Sequence, residues 1–135
     1  MVPSAAHARG RLCELSPQSL ANVAWALAAT DVWTAPKARG FIVAAAVHAA
    51  QADFRNFEPQ TIANLCWAPR RLGCTGGVVE SRWFVRVAAR VVLERVEKFA
   101  WQDKSSVIIA LAGMPHSAQE TVLALAGCLL SALLY

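Results

Sequence analysis

Two stretches of this chain, "SPQSLANVAWALA" at Ser16–Ala28 and "EPQTIANLCWA" at Glu58–Ala68, repeat one another at a fixed offset of 42 residues. Pro17 pairs with Pro59, Gln18 with Gln60, Ala21 with Ala63, Asn22 with Asn64, Trp25 with Trp67 and Ala26 with Ala68. A further step of 42 brings Phe57 to Phe99, Gln60 to Gln102, Leu65 to Val107 and Ala68 to Ala110. This third copy drops the Pro, Asn and Trp but keeps the apolar rhythm. Recurrence at such a period is the mark of stacked supersecondary units, each unable to bury its apolar face alone.

Each unit reads as two helices. Ser16 is a good N-cap and Pro17 takes the first helical position, where a missing N–H costs nothing. Leu20, Val23, Ala24 and Leu27 follow at helical spacing, and Trp25 widens that stripe. The residues from Asp31 to Pro36 end the helix, and a second one covers about Lys37 to Ala52, with Gly40 weakening its first turn. In the next unit a helix over Pro59 to Arg71 is broken by "LGCTGG", and a long helix over about Val78 to Lys98 follows. The third unit is expected to start from Asp103 or Ser105 as a cap and to stop at "GMP" (113–115). Ser117 with Glu120 then forms a capping box for a last helix. No strand pattern appears, because the paired valines at 78–79 and 91–92 fall within helical periodicity.

The expected fold is therefore all-α: an α-solenoid of stacked antiparallel helix pairs with a 42-residue period. A flexible lead-in at 1–14 precedes one domain at 15–135, with repeats at about 15–56, 57–98 and 99–135. The apolar last helix, "TVLALAGCLLSALLY", suggests a piece of a longer array and a surface for protein subunits. Its 15 residues are fewer than the roughly 20 that a bilayer requires, so no membrane partner is expected.

Composition narrows the function classes. The chain has 13 basic and 9 acidic residues, a net charge of +4, which permits a phosphate backbone as partner without requiring one. Cys13, Cys66, Cys74 and Cys128 include no Cys-x-x-Cys pair, and His7, His48 and His116 do not complete a metal set. Neither metal nor cofactor is expected, and a reducing compartment fits the free thiols. No Gly-rich phosphate loop, nucleophile–base pair or paired catalytic carboxylates emerge, so the chain reads as a non-enzyme.

Several residues carry a functional and a structural reading side by side. Trp25 and Trp67 can stack on bases, but alanines and an apolar stripe around them favour wedges between neighbouring helix pairs. Asn22 and Asn64 are poor helix-interior choices, which points either to an amide tie between repeats or to readout of a base edge. Gln18 and Gln60 read as solvated first-turn residues. Arg70 and Arg71 end a helix and complement its dipole. Arg82, Arg86 and Arg90 stand four apart on one face, either a ladder for phosphates or a solvated surface continued by Glu94.

The doubled phrase resembles the Phe-x-Pro-Gln-x-Leu-Ala-Asn-x-x-Trp-Ala repeats of algae, dinoflagellates and other protists, which look related to octotricopeptide-type and RAP-associated helical arrays and to repeat subunits of the RNA-editing substrate-binding complex. The match falls on Leu15, Pro17, Gln18, Leu20, Ala21, Asn22, Trp25 and Ala26, then on Phe57, Pro59, Gln60, Ile62, Ala63, Asn64, Trp67 and Ala68. Unit one keeps "WALA", whereas unit two departs with "WAPRRLG", where Pro69 is expected to shorten or kink the helix. The resemblance implies an α-solenoid that binds single-stranded RNA in organellar RNA processing, stability or editing, with the mitochondrion as its setting and the plastid or cytoplasm as alternatives. The candidate RNA-binding set is Asn22, Asn64, Arg70, Arg71, Arg82, Arg86 and Arg90, with Trp25, Trp67, Pro17 and Pro59 as packing residues. The competing expectation is a protein–protein scaffold of the same architecture.

Overall fold

The computed structural model describes residues 12–30, 35–72, 78–113 and 119–134. Among them are six α-helices and no strand: α1 Pro17–Ala29, α2 Pro36–Gln51, α3 Pro59–Leu72, α4 Val78–Glu94, α5 Trp101–Ala112 and α6 Gln119–Leu134. Short 3₁₀ turns lie at Leu12–Glu14 and Val96–Lys98.

The helix starts follow the sequence repeat. Pro17, Pro59 and Trp101 open α1, α3 and α5, 42 residues apart each time, and α2 and α4 open the same distance apart at Pro36 and Val78. First-turn hydrogen bonds recur in the same register: Leu20 N–H to Ser16 C=O, Ile62 N–H to Glu58 C=O and Lys104 N–H to Ala100 C=O, at 2.9–3.0 Å. The tight turn before each helix recurs as well, with the amides of Leu15, Phe57 and Phe99 donating to the carbonyls of Leu12, Phe54 and Val96. Among the described residues of these three helix starts, α1 alone has a side-chain cap, Ser16 Oγ accepting from the Ser19 N–H at 3.1 Å.

Alternate helices pack on one another: α1 on α3 and α3 on α5, with α2 on α4 and α4 on α6. Contacts of α1 with α2, α2 with α3 and α5 with α6 join the two rows. The core lies between them and includes Leu20, Ile42, Ile62, Leu65, Phe84 and Val91, all essentially inaccessible to solvent. On α2 the inward face is nearly all alanine (Ala45, Ala46, Ala49 and Ala50), which removes side-chain bulk and lets neighbouring helices approach closely.

Three local expectations are corrected. The long helix ends at Glu94, and Val96–Lys98 form a separate 3₁₀ turn. The cause is tertiary: the Arg95 guanidinium donates to the carbonyls of Asp53, Phe54 and Phe57 in the α2–α3 connection. α5 starts at Trp101 with Ala100 as an unassisted N-cap, so neither Asp103 nor Ser105 caps it. Pro69 lies inside α3 and does not shorten it: the helix runs to Leu72, one residue past the expected Arg71. Its missing N–H leaves one carbonyl a turn earlier without its usual donor, and Pro69 itself is buried. The expected capping-box residue Ser117 lies outside the described residues.

The α2–α3 connection is the most constrained backbone among the described residues. Asp53, Phe54 and Asn56 all adopt positive φ, at 52°, 52° and 64°. For a bulky residue such as Phe54 this conformation is costly and persists only where the surroundings enforce it. Phe54 is fully buried, edge-on to Phe57 at 5.7 Å and to Phe84 at 6.1 Å between ring centroids.

Candidate nucleic-acid interface

On an α-helix, residues i, i+4 and i+7 share a face. Gln18, Asn22 and Trp25 therefore line one side of α1, and the 42-residue offset places Gln60, Asn64 and Trp67 on α3 and Gln102, Ser106 and Ile109 on α5 in the same relation. That side points away from the buried Leu20, Ala24 and Ala28 of α1. All three glutamines are exposed, as are Asn22 and Ser106, while Asn64 is half-buried. The row α1–α3–α5 thus presents an amide or hydroxyl pair and a large apolar side chain on each helix.

Neither asparagine ties one helix pair to the next: among the described residues the side chains of Asn22 and Asn64 make no hydrogen bond. Asn22 is exposed, which leaves its amide open to solvent. Ser106 differs, since its hydroxyl donates back to the Gln102 carbonyl at 2.9 Å.

Trp25 and Trp67 do touch across α1 and α3, ring centroids 6.0 Å apart and planes tilted by 38°. The wedge reading is thus half of the account. Trp67 is half-buried, but Trp25 remains 46% exposed, which leaves an indole surface open beside the amides. In α5 the equivalent Ile109 is exposed without an aromatic face.

The arginines divide. Arg70 near the end of α3 lies against the end of α5, where a Cβ added to Gly113 would collide with its guanidinium. A cation there faces the free carbonyls of the α5 C-terminus, which favours positive charge. Arg71 is in the last turn of α3, and its side chain lies outside the described residues. Arg82, Arg86 and Arg90 are all exposed, but on α4, in the other row of helices.

Arg90 is also engaged, with Nη2 2.5 Å from Asp53 Oδ1 and Nη1 3.2 Å from Glu94 Oε1. Hydrogen bonds to these two carboxylates raise its pKa above the usual arginine value. Arg82 and Arg86 make no such pair among the described residues. Asn22 and Asn64 thus lie on α1 and α3, whereas the arginine ladder lies on α4 in the other row.

Sequence reasoning passed over the glutamines as incidental first-turn residues. The signal was nonetheless present: Gln18, Gln60 and Gln102 recur at the full period, and their spacing to Asn or Ser and then to Trp or Ile is that of one helical face.

Other surface features lie elsewhere. A hollow of about 440 Å³ on α2 is lined by Leu12, Arg39, Val43, Val47 and His48 among others, and a groove of about 280 Å³ runs between α5 and α6. Burial pushes the Cys66 thiol up to about 12, so it is protonated and inert at neutral pH. No cluster of His, Cys, Asp and Glu suited to a metal occurs among the described residues, and none of their helices is long and apolar enough to cross a membrane. No protein-family model, curated protein or solved structure matches the chain.

Proposed function

We propose that the chain is a helical-repeat module, an α-solenoid with a 42-residue period, that holds single-stranded RNA along the outward face of α1, α3 and α5. The recurrence of helix starts and first-turn hydrogen bonds at that offset supports the repeat reading. One observation carries the functional reading: Gln18, Asn22 and Trp25, repeated as Gln60, Asn64 and Trp67, leave amides and an indole open to solvent on one surface. Single-stranded RNA suits such a surface, since unpaired bases stack on aromatic rings and bond through their edges to amides. The net charge of +4 favours the phosphate backbone. An organellar RNA-processing, stability or editing role in the mitochondrion, with plastid or cytoplasm as alternatives, follows from the resemblance of the repeated phrase.

The test is fluorescence-polarisation binding to single-stranded RNA pools across a salt series. The expected result is binding at low salt that Asn22→Ala with Asn64→Ala weakens severalfold, and that Trp25→Ala weakens by about fivefold or more, from a stacking contribution of about 1–3 kcal/mol per base. Arg82→Ala with Arg86→Ala, on the other row, is expected to change affinity less. Absence of binding at low salt sinks the proposal, as does a dependence on Arg82 and Arg86 alone.

A protein–protein scaffold remains the second reading, on a separate observation. Leu123 and Leu130 of α6 are 70% and 57% exposed, an unusual outlay of leucine to water.

A further inference from the structure

The two ends of the helix stack are unlike, and the 42-residue register shows how they relate. Leu65 and Ala68 of α3 are buried, as are their equivalents Val107 and Ala110 in α5. In α1 the same two positions are Val23, 42% exposed, and Ala26, also exposed. Among the described residues these positions are covered in α3 and α5, which another helix of the row precedes, and uncovered in α1, which shows a copy of the face by which α3 and α5 join the stack.

At the opposite end the reverse holds. Ala21 and Ala24 of α1, and Ala63 and Cys66 of α3, are buried. Their equivalents Ser105 and Ile108 in α5 are exposed and half-buried, and they line the 280 Å³ groove with Trp101, Leu129 and Leu130. This groove between α5 and α6 continues the internal stack: its counterpart between α1 and α2 is filled, because α3 contacts both helices. Lys104, which also lines the groove, stands where Leu20 and Ile62 are core residues; it is buried, with Nζ 4.1 Å from the centre of the Trp101 ring, which offsets part of the cost of covering its charge.

We infer that the α5–α6 groove receives the Val23–Ala26 face of α1 from a second copy of this chain, joined head to tail. The inference deepens the protein-contact reading and is independent of RNA. One molecule carries both the inserting face and the groove, and α1–α3 and α3–α5 already show that such faces fit. The two surfaces are different, so the contact is heterologous and propagates into open chains unless the rotation closes a ring.

Analytical ultracentrifugation of the purified chain, without RNA, tests this. The wild type is expected to exceed twice its 14.5 kDa monomer mass as concentration rises. Val23→Glu spoils only the inserting face and Leu130→Glu only the groove, so each alone stays monomeric. An equimolar mixture retains one intact junction and stops at the dimer. Both positions are substantially exposed, and circular dichroism checks the fold. Ala26→Arg and Ser105→Arg replace any variant that misfolds. A wild type that stays monomeric overturns the head-to-tail contact, and so does dimerisation of Val23→Glu alone, which indicates a symmetric groove-to-groove contact. Capture of a different protein by monomeric chain leaves the broader scaffold reading standing while this occupant fails.

Discussion

Arg95 clasps the most strained turn among the described residues, and its removal should cost more stability than removal of any neighbouring arginine. Its Nη1 donates to Phe54 C=O at 3.1 Å and, weakly, to Phe57 C=O at 3.5 Å, while Nη2 donates to Asp53 C=O at 3.0 Å. Those carbonyls belong to the segment in which Asp53, Phe54 and Asn56 hold positive φ. Hydrogen bonds from a charged donor contribute about 1.5–3 kcal/mol each. Two good bonds on a half-buried side chain, discounted for partial solvation, suggest about 2–3 kcal/mol in all. Arg95→Met keeps much of the stem packing and removes the donors. For a chain of this length the loss corresponds to a fall in Tm of about 7–10 °C. Arg95→Lys should recover part of it, because one ammonium cannot span three carbonyls. Arg90→Met provides the contrast, since its ion pairs with Asp53 and Glu94 are solvent-exposed and should shift Tm far less. The assay is thermal unfolding followed by circular dichroism. If Arg95→Met lowers Tm by no more than Arg90→Met does, the turn is held by Phe54, Phe57 and Phe84 alone and the clasp is incidental.

Other consequences follow from single contacts. Ser16→Ala removes the side-chain cap of α1 and should cost about 1 kcal/mol in urea unfolding, with Ser16→Asp restoring most of it. Native protein at pH 8 should alkylate at the exposed Cys128 and spare Cys66, which reacts only after denaturant; peptide mass mapping separates them. The thiol of Cys66 also makes stability depend on alkaline pH. Its pKa is raised from 9.0 to about 12 by burial, so between those values the unfolded chain has lost a proton that the folded chain retains, and stability falls as pH rises through the window. The slope approaches about 1.4 kcal/mol per pH unit from this group and should vanish in Cys66→Ala.

Much of the architecture was legible because the chain writes its helix starts in local chemistry. Pro17 and Pro59 announce α1 and α3, and the structure begins those helices there. Trp101 opens α5 at the same period without a proline or a polar cap, so local signals placed the cap too late, at Asp103 or Ser105 instead of Ala100. The helix end at Glu94 was hidden for a different reason. Val91, Val92 and Val96 continue an apolar rhythm through the break, and what stops the helix is Arg95 reaching carbonyls about 40 residues earlier in the chain. Periodicity carries no record of such a contact.

The same limit explains the surface. Val23 and Leu65 occupy one place in the repeated phrase, and pattern alone assigns both to an apolar stripe. Leu65 is buried and Val23 is not, because burial at that place requires a preceding helix in the row. Trp25 and Trp67 divide in a related way, the two rings meeting while the former keeps nearly half its surface in water. A repeated phrase specifies how one unit meets another; which copies are left unmet is a property of their order in the stack. The residues that matter for contacts with other molecules are then of two kinds. Gln18, Gln60 and Gln102 are exposed in every copy, and Asn22 and Ser106 are exposed while Asn64 is half-buried, whereas Val23, Ala26, Ser105 and Ile108 are accessible because of where their copy stands. Substitutions of the first kind should alter ligand binding with the stack intact, and substitutions of the second kind should alter association between chains, so the two proposed surfaces can be separated by mutation.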